Sequence, residues 1–172
     1  MTLWISHTKD EKIAMLQRAE EKLHINQVAI EKDWWVTIVL NALFKCSCSD
    51  QLIFKGGTSL SKGWNLIERF SEDIDLSVNH EFFGIAKTTK SQREKLRKKA
   101  RCYFLEVVSV ELDENLKKLG VRGYQIENVV EDIDAKGMAS PVASDKDPSV
   151  ILVHYDSVLN NSIDYIPPRV KI

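Results

Sequence analysis

Disulfide chemistry and repetitive sequence are both missing from this chain of 172 residues. It has only three cysteines, an odd and small number that argues against a disulfide framework. Such cysteine usage is typical of a protein kept in a reducing compartment. The chain also has no internal repeat and no low-complexity tract.

A charge surplus and a long hydrophobic run are missing as well. Lys and Arg number 24 and Asp and Glu number 25, so the formal charge of −1 excludes a polycation that coats nucleic acid. The longest nearly apolar stretch, 34–40, is far shorter than the roughly 20 residues that span a membrane. The N-terminal segment MTLWISHTKDEK lacks the basic and apolar parts of a signal peptide. We therefore expect a cytoplasmic protein without a membrane partner.

The remaining composition is that of one folded domain with a hydrophobic core, since 44% of the residues are hydrophobic and 28% are charged. Helical periodicity predicts a helix after the capping box of Thr8 and Glu11, and a buried helix that contains the apolar run 34–44. Further helices are predicted at 58–67, with Thr58 near the N-cap, and at about 88–119. Strands are predicted at 52–55, 73–78, 121–127 and 149–155, a loop at 131–149, and an extended segment at the end of the chain. We therefore expect an α+β (mixed α/β) fold with a small mixed sheet packed against helices.

The most informative segment is FKGGTSLSKGWNLIERFSEDIDLSV, at 54–78. A predicted strand leads into Gly56 and Gly57, which let the backbone approach a phosphate closely, and then into a helix whose first N–H groups attract anions. The hydroxyls of Thr58 and Ser59 add hydrogen-bond donors. Lys62, one turn further on, adds a positive charge. The pattern indicates a phosphate-binding turn.

Two carboxylates follow this turn. Asp73 and Asp75 are two residues apart on a predicted strand, so both side chains point to the same side. Carboxylates beside a phosphate-binding turn suit Mg²⁺ or Mn²⁺ bound to the phosphates of an NTP. Each half of the pattern is weak by itself, because Gly-Gly is commonly a simple turn and Asp-x-Asp a solvated strand edge. The same letters recur at 131–134 without a preceding Gly-Gly turn, and we interpret that copy as part of the loop.

In this context, GGTSLSK followed by RFSEDIDLS resembles the nucleotidyltransferase superfamily related to DNA polymerase β, and most closely the AbiEii-type toxins of abortive-infection (type IV toxin–antitoxin) systems. IEKDWWVTIVL and YIPPRVKI resemble the helix before the motif and a later catalytic strand of that family. The resemblance implies a nucleotidyltransferase fold and Mg²⁺-dependent transfer of a nucleotide, GTP being one possibility, to a tRNA or other RNA. It also implies a cognate antitoxin. It assigns the triphosphate and metal roles to these residues: Gly56, Gly57, Thr58, Ser59, Lys62 and Ser71 for the triphosphate, and Asp73 and Asp75 as catalytic metal ligands.

The resemblance also bears on the extent of the chain. We expect a single nucleotidyltransferase-like domain over 1–172, with a helical part at 1–50 and a sheet-containing catalytic core at 51–172. In the family, a third carboxylate, a Glu, follows the strand that resembles PRVKI, and a helical region comes after it. We therefore expect this chain to be truncated at its C-terminus. Without the third carboxylate, an inactive fragment is one of the expected outcomes.

Two other functions stay open at this stage. The first is a binding module, a nucleotide-binding or antitoxin-binding remnant without turnover. The second is a phosphatase of the haloacid-dehalogenase type, whose Asp-x-Asp signature resembles Asp73-Ile74-Asp75. That chemistry needs an apolar strand directly before the nucleophilic Asp, and the preceding RFSE is a poor strand.

A strongly basic segment precedes the middle of the long predicted helix. Residues 87–101 hold eight basic residues and one acidic residue, a local charge of +7 in a chain that is otherwise acidic. Basic residues at a helix start oppose the helix dipole, which makes them a poor choice for stability alone. We interpret Arg93, Arg97, Lys98 and Arg101 as an RNA-binding patch. The competing interpretation is a solvated helical face.

Overall fold

The structure is a computed structural model that describes residues 2–68, 70–85, 89–133, 139–141, 150–159 and 166–172. Helices pack against small antiparallel sheets, so the α+β prediction is confirmed. No helix within these described ranges is both long and apolar enough to cross a bilayer.

Helices make up the N-terminal part of the molecule. They are α1 (Thr2–Ser6), α2 (Lys9–Leu23) and α3 (Gln27–Leu43). The predicted capping box of Thr8 and Glu11 is present at the start of α2. Most of α3 is buried, as its nearly continuous apolar run predicts. The short helix α1 was not predicted.

The first strand pair carries the glycine motif between its strands. Strand β1 (Leu52–Lys55) leads directly into α4 (Gly56–Thr58), which continues as a π-helical turn over Ser59–Gly63. Strand β2 (Asp75–Val78) then returns antiparallel to β1. The register places Lys55 opposite Asp75, so the end of β1 lies beside the start of β2.

The longest helix is continuous, as predicted. It consists of α5 (Lys90–Tyr103), a π-helical stretch (Phe104–Val108) and α6 (Ser109–Lys118). Its second half packs on α3 through buried Val108, Leu112 and Leu116. Gly120, with φ of +80°, directly follows its last turn, which agrees with the predicted stop.

A second sheet forms from the C-terminal third of the chain. Strands β3 (Tyr124–Val129), β6 (Val150–Tyr155) and β7 (Arg169–Lys171) are antiparallel in the order β3-β6-β7. The prediction of a loop over 131–149 is wrong in part, because β4 (Glu131–Ile133) and β5 (Ala139–Pro141) pair as a small antiparallel sheet. The residues of this region favour turns locally, but its two short segments pair through their backbones. Positions 134–138 and 142–149 lie outside the described residues.

One parallel bridge joins the two main sheets. Asp73 pairs with Lys171 of β7, and the Ile74 N–H donates to the Lys171 carbonyl at 2.8 Å. Ile74 itself is 1% exposed and lies in the core. The core is therefore shared between the sheets and the two long helices, and the Asp-x-Asp segment sits where the sheets meet.

Candidate active site

Gly56 brings the backbone at the end of β1 against the side chain of Asp75. Its φ of +74° is a left-handed conformation that L side chains rarely adopt. A Cβ built on Gly56 would lie 2.0 Å from Oδ2, 2.9 Å from Cγ and 3.0 Å from Cβ of Asp75. Rotating the carboxylate would relieve only part of this overlap, since the Asp75 Cβ, at 3.0 Å, is also in tight contact. The first glycine of the motif is therefore required by a close approach to the second carboxylate.

Thr58 lies inside the helix rather than near its N-cap, which corrects the sequence prediction. The helix begins at Gly56, with Lys55 as the N-cap, because the strand runs directly into the turn. The Thr58 side chain is completely buried. Its hydroxyl donates to the Asp73 carbonyl and lies 2.8 Å from the Ser71 hydroxyl. Thr58 thus ties the glycine turn to the segment that carries the carboxylates.

Ser59 is also turned inward. It is 5% exposed, and its hydroxyl donates to the Gly56 carbonyl at 2.9 Å. The hydroxyls of Thr58 and Ser59 therefore stabilise the turn. A phosphate approaching the start of α4 would meet backbone N–H groups of the first helical turn, which have no intrahelical acceptor.

The two aspartates point away from the core. Ile74 between them is buried, whereas Asp73 is half-buried and Asp75 is exposed. Alternation along an extended segment places both carboxylates on the opposite side from Ile74, as the spacing predicts. Regular strand pairing begins at Asp75 rather than at Asp73, because Asp73 bridges to Lys171 of the other sheet instead of to β1.

Lys62 is held by helix α3. Its ammonium donates to the Asp33 carboxylate and to the Thr37 hydroxyl, each at 2.8 Å. Its charge is therefore partly neutralised within the protein. This contact holds the helical segment 56–63, called the glycine helix below, against α3.

The donor set is chemically suited to a hard divalent cation. Asp73 and Asp75 supply carboxylate oxygens, which Mg²⁺ prefers, and the missing Cβ of Gly56 gives Asp75 the room to sit beside the turn. Within the part of the chain that the structure describes, no group of three or more His, Cys, Asp or Glu side chains converges on a metal position. Two protein carboxylates fit a cation that takes its other oxygens from substrate phosphates and water.

Sequence reasoning missed the charged turn of α3 that supports the site. Glu31 and Lys32 are 1% and 2% exposed, although charged residues are seldom buried. The Lys32 ammonium forms an ion pair with Glu72 and donates to the Pro167 carbonyl at 3.2 Å. The available signal was the position of these charges in the same helix as the apolar run 34–44 and directly before that run.

The basic residues of α5 are not equivalent. Arg93 and Lys98 are exposed, whereas Arg97 and Arg101 are half-buried. Arg101 donates to the Val130 carbonyl at 3.0 Å. The solvent-facing part of the predicted patch is therefore centred on Arg93 and Lys98.

Helix α5 lies beside the turn that follows β2. The Lys99 ammonium donates to the Phe83 carbonyl at 3.2 Å, and the rings of Phe82 and Phe83 pack edge-on against Tyr103. The basic helix is thus attached to the same chain segment that leaves the Asp-x-Asp strand.

Comparison with known proteins points to one family. A family model described as "Nucleotidyl transferase AbiEii toxin, Type IV TA system" matches residues 38–172. The match includes the glycine turn, both aspartates and the basic helix. Searches of the curated proteins and of the solved structures found no match.

Proposed function

The chain belongs to the AbiEii family of nucleotidyl transferase toxins of type IV toxin–antitoxin systems, and we propose that it transfers a nucleotide from an NTP to an RNA acceptor. The observation that carries this proposal is the contact between the glycine turn and the second carboxylate. With Gly56 packed against Asp75, a phosphate at the start of α4 would lie beside the carboxylate pair. Phosphate binding and charge stabilisation are the two needs of nucleotide transfer.

Each residue of the turn has a distinct part in the proposal. The backbone of Gly56, Gly57 and the next residues binds the triphosphate through N–H groups. Thr58 and Ser59 keep that backbone in place through their buried hydroxyls, and Ser71 supports Thr58. Lys62 contributes to the positive potential at the turn while it is bound to Asp33.

Asp73 and Asp75 would hold Mg²⁺ or Mn²⁺ together with the NTP phosphates. Such an ion, when bound, neutralises phosphate charge and lowers the pKa of a coordinated hydroxyl or water. In the transfer itself, an acceptor hydroxyl oxygen forms a bond to the α-phosphorus, and the bond from that phosphorus to the β-bridging oxygen breaks. Pyrophosphate leaves, and the hydroxyl proton passes to solvent.

The charge of α5 and the family support the proposed acceptor and partners. The exposed Arg93 and Lys98 would bind phosphates of an RNA such as tRNA, with Arg97 and Arg101 behind them. GTP is one possible nucleotide. Membership of a toxin–antitoxin family supports a cognate antitoxin as a protein partner, and we propose a cytoplasmic location for the pair.

Transfer of a labelled nucleotide tests the proposal. The protein is incubated with each α-³²P-labelled NTP, total tRNA and Mg²⁺, and label in RNA is measured after electrophoresis. We expect incorporation that chelation abolishes and that Asp73→Asn lowers at least 100-fold. Asp50→Asn, which removes an exposed carboxylate elsewhere, serves as the control.

Two results would contradict the transferase proposal. Nucleotide binding without incorporation into any RNA would favour the binding module. Release of inorganic phosphate from a generic phosphoester, dependent on Asp73, would favour the phosphatase. The irregular backbone at 70–72 gives the phosphatase little support, since no strand leads into Asp73.

A further inference from the structure

One buried lysine of α3 connects two segments that are far apart in sequence. Lys32 is 2% exposed, and its ammonium forms an ion pair with Glu72 and a hydrogen bond of 3.2 Å to the Pro167 carbonyl. Glu72 directly precedes Asp73. Pro167 lies two residues before β7, which spans Arg169–Lys171. Both contacts of Lys32 are therefore made next to the place where the two sheets join.

The join is made by few backbone contacts. Among the described residues, the backbone join is the isolated bridge between Asp73 and Lys171, with its 2.8 Å hydrogen bond from the Ile74 N–H to the Lys171 carbonyl. An isolated bridge restrains the backbone less than a continuous ladder, since its neighbours on either side add no hydrogen bonds. The position of Asp73 then depends on side-chain contacts that hold the two segments together.

The adjacent residue of α3 holds the other half of the site. Asp33 accepts from the Lys62 ammonium at 2.8 Å, and Lys62 also donates to Thr37. Helix α3 is thus bonded to the glycine helix through Asp33 and to the carboxylate segment through Lys32. Since α3 is buried in the core, it offers both halves a rigid support.

We propose that Lys32 is a positioning residue: through Glu72 and Pro167 it fixes the segment Asp73–Asp75 in the arrangement that binds a divalent cation and a nucleotide. The inference rests on the proposed function for what the segment binds. Lys32 does not contact the ligand in this account, because its side chain is enclosed by protein. It acts through the two partners that it joins.

The first test is nucleotide affinity in a double-mutant cycle. Lys32→Met keeps most of the length of the side chain and removes its charge, while Glu72, whose side chain is 40% exposed, can be hydrated instead. We expect Lys32→Met to weaken Mg²⁺-dependent NTP binding at least tenfold in calorimetry while the thermal midpoint changes little. If Lys32→Met does not fold, Lys32→Gln also removes the ion pair and keeps a polar side chain at this position.

The cycle separates positioning from direct contact. In the Glu72→Gln background, Lys32→Met should cause a smaller loss of affinity than in the wild type, because the ion pair is already broken and only the contact with Pro167 remains to be lost. A full additional loss would mean that Lys32 does not act through Glu72 and would overturn the proposal. Lys118→Met, which breaks an exposed ion pair with Glu114 at the far end of the long helix, should leave affinity unchanged.

Hydrogen exchange tests the positioning without any nucleotide. The Ile74 amide should exchange at least tenfold faster in Lys32→Met than in the wild type and in Lys118→Met, while amides in the middle of α3 stay protected. If the wild type binds no NTP but Ile74 exchange rises as expected, the proposed function fails and the positioning role stands. Unchanged Ile74 exchange would overturn the positioning role whatever the binding result.

Discussion

At the scale of single residues, the conformation of Gly56 decides how closely the turn after β1 approaches Asp75. Two properties of glycine are needed there, a positive φ and the absence of a Cβ. Gly84 needs only the first, since its φ is +69° and no atom of the described residues lies within 4 Å of an added Cβ. Substitutions at Gly84 and Gly56 can therefore be compared to distinguish the cost of backbone strain from the cost of steric overlap with Asp75.

Alanine at these two positions should have different effects. We expect Gly84→Ala to lower the free energy of unfolding by about 1 kcal/mol, the usual cost of a left-handed alanine. Gly56→Ala should cost more and weaken NTP binding at least tenfold, because the new Cβ displaces Asp75. Urea unfolding and calorimetry on both variants provide the measurement. Equal losses of stability with intact NTP binding in both would contradict the role given to Gly56.

Glu31 gives the stability of the protein a pH dependence. Burial raises the pKa of Glu31 above its ordinary value of 4.5, although hydrogen bonds from the Ser157 hydroxyl and the Val158 N–H oppose part of that rise. Between pH 4.5 and the raised pKa, the folded state therefore keeps a proton on Glu31 that the unfolded state has released. Stability from this group is complete below pH 4.5 and is lost as pH rises through the raised pKa.

Replacing Glu31 by Gln should remove this dependence. The amide keeps one acceptor for the Val158 N–H and carries no charge into the core. We expect the difference in unfolding free energy, Glu31→Gln minus wild type, to become more favourable to the variant as pH rises from 4.5 to neutrality. Urea titrations at several pH values measure it. A difference that is constant with pH, or that falls, would contradict the assignment.

At the scale of elements, α3 and the long helix show what periodicity predicts well. Both keep a helical pattern of apolar residues: α3 contains nearly all of the predicted apolar run, and the long helix has boundaries close to the predicted ones. The pairing of β4 with β5 was not predicted because its strands, at 131–133 and 139–141, are short and carry turn-forming residues. The burial of Lys32 was not predicted either, because its partner Glu72 is 40 residues away and no local pattern joins them.

The ion pair between α3 and the carboxylate segment should be asymmetric in its effect on stability. Glu72→Gln leaves the Lys32 ammonium buried with the Pro167 carbonyl, which should lower the free energy of unfolding by about 2 to 3 kcal/mol. Lys32→Met should cost less, since Glu72 can turn to water. Urea unfolding of both variants measures the difference. A larger loss in Lys32→Met than in Glu72→Gln would show that the ammonium is not confined as described.

At the scale of the whole molecule, the charge is near zero overall but concentrated locally. The exposed Arg93 and Lys98 of α5 should bind RNA phosphates, so replacing both by Ala should weaken tRNA binding and reduce the slope of log K against log salt by roughly 1 to 2. A matched control is Lys117→Ala with Lys118→Ala. These lysines lie on the same long helix but pair with Asp113 and Glu114. Equal effects of the two double variants in filter binding would favour a solvated face over an RNA site.

The fold class and the family could be predicted from the sequence because the informative signals are local. The glycine turn, the Asp-x-Asp spacing and the helical periodicities each lie within one short segment. What could not be predicted is how these segments are held together. The inward turn of the Thr58 hydroxyl, the pairing of Lys62 with Asp33 and the bridge from Asp73 to Lys171 all depend on tertiary packing.

Whether nucleotide and metal bind at the two aspartates is tested by calorimetry of each NTP, with and without Mg²⁺, on the wild type and on the double variant Asp73→Asn/Asp75→Asn. We expect the wild type to bind at least one NTP in a Mg²⁺-dependent manner and the double variant, folded to the same thermal midpoint within a few degrees, to lose that dependence. Binding of NTP that is equally strong without Mg²⁺ or in the double variant would contradict this expectation, because the nucleotide would then lie away from the two aspartates.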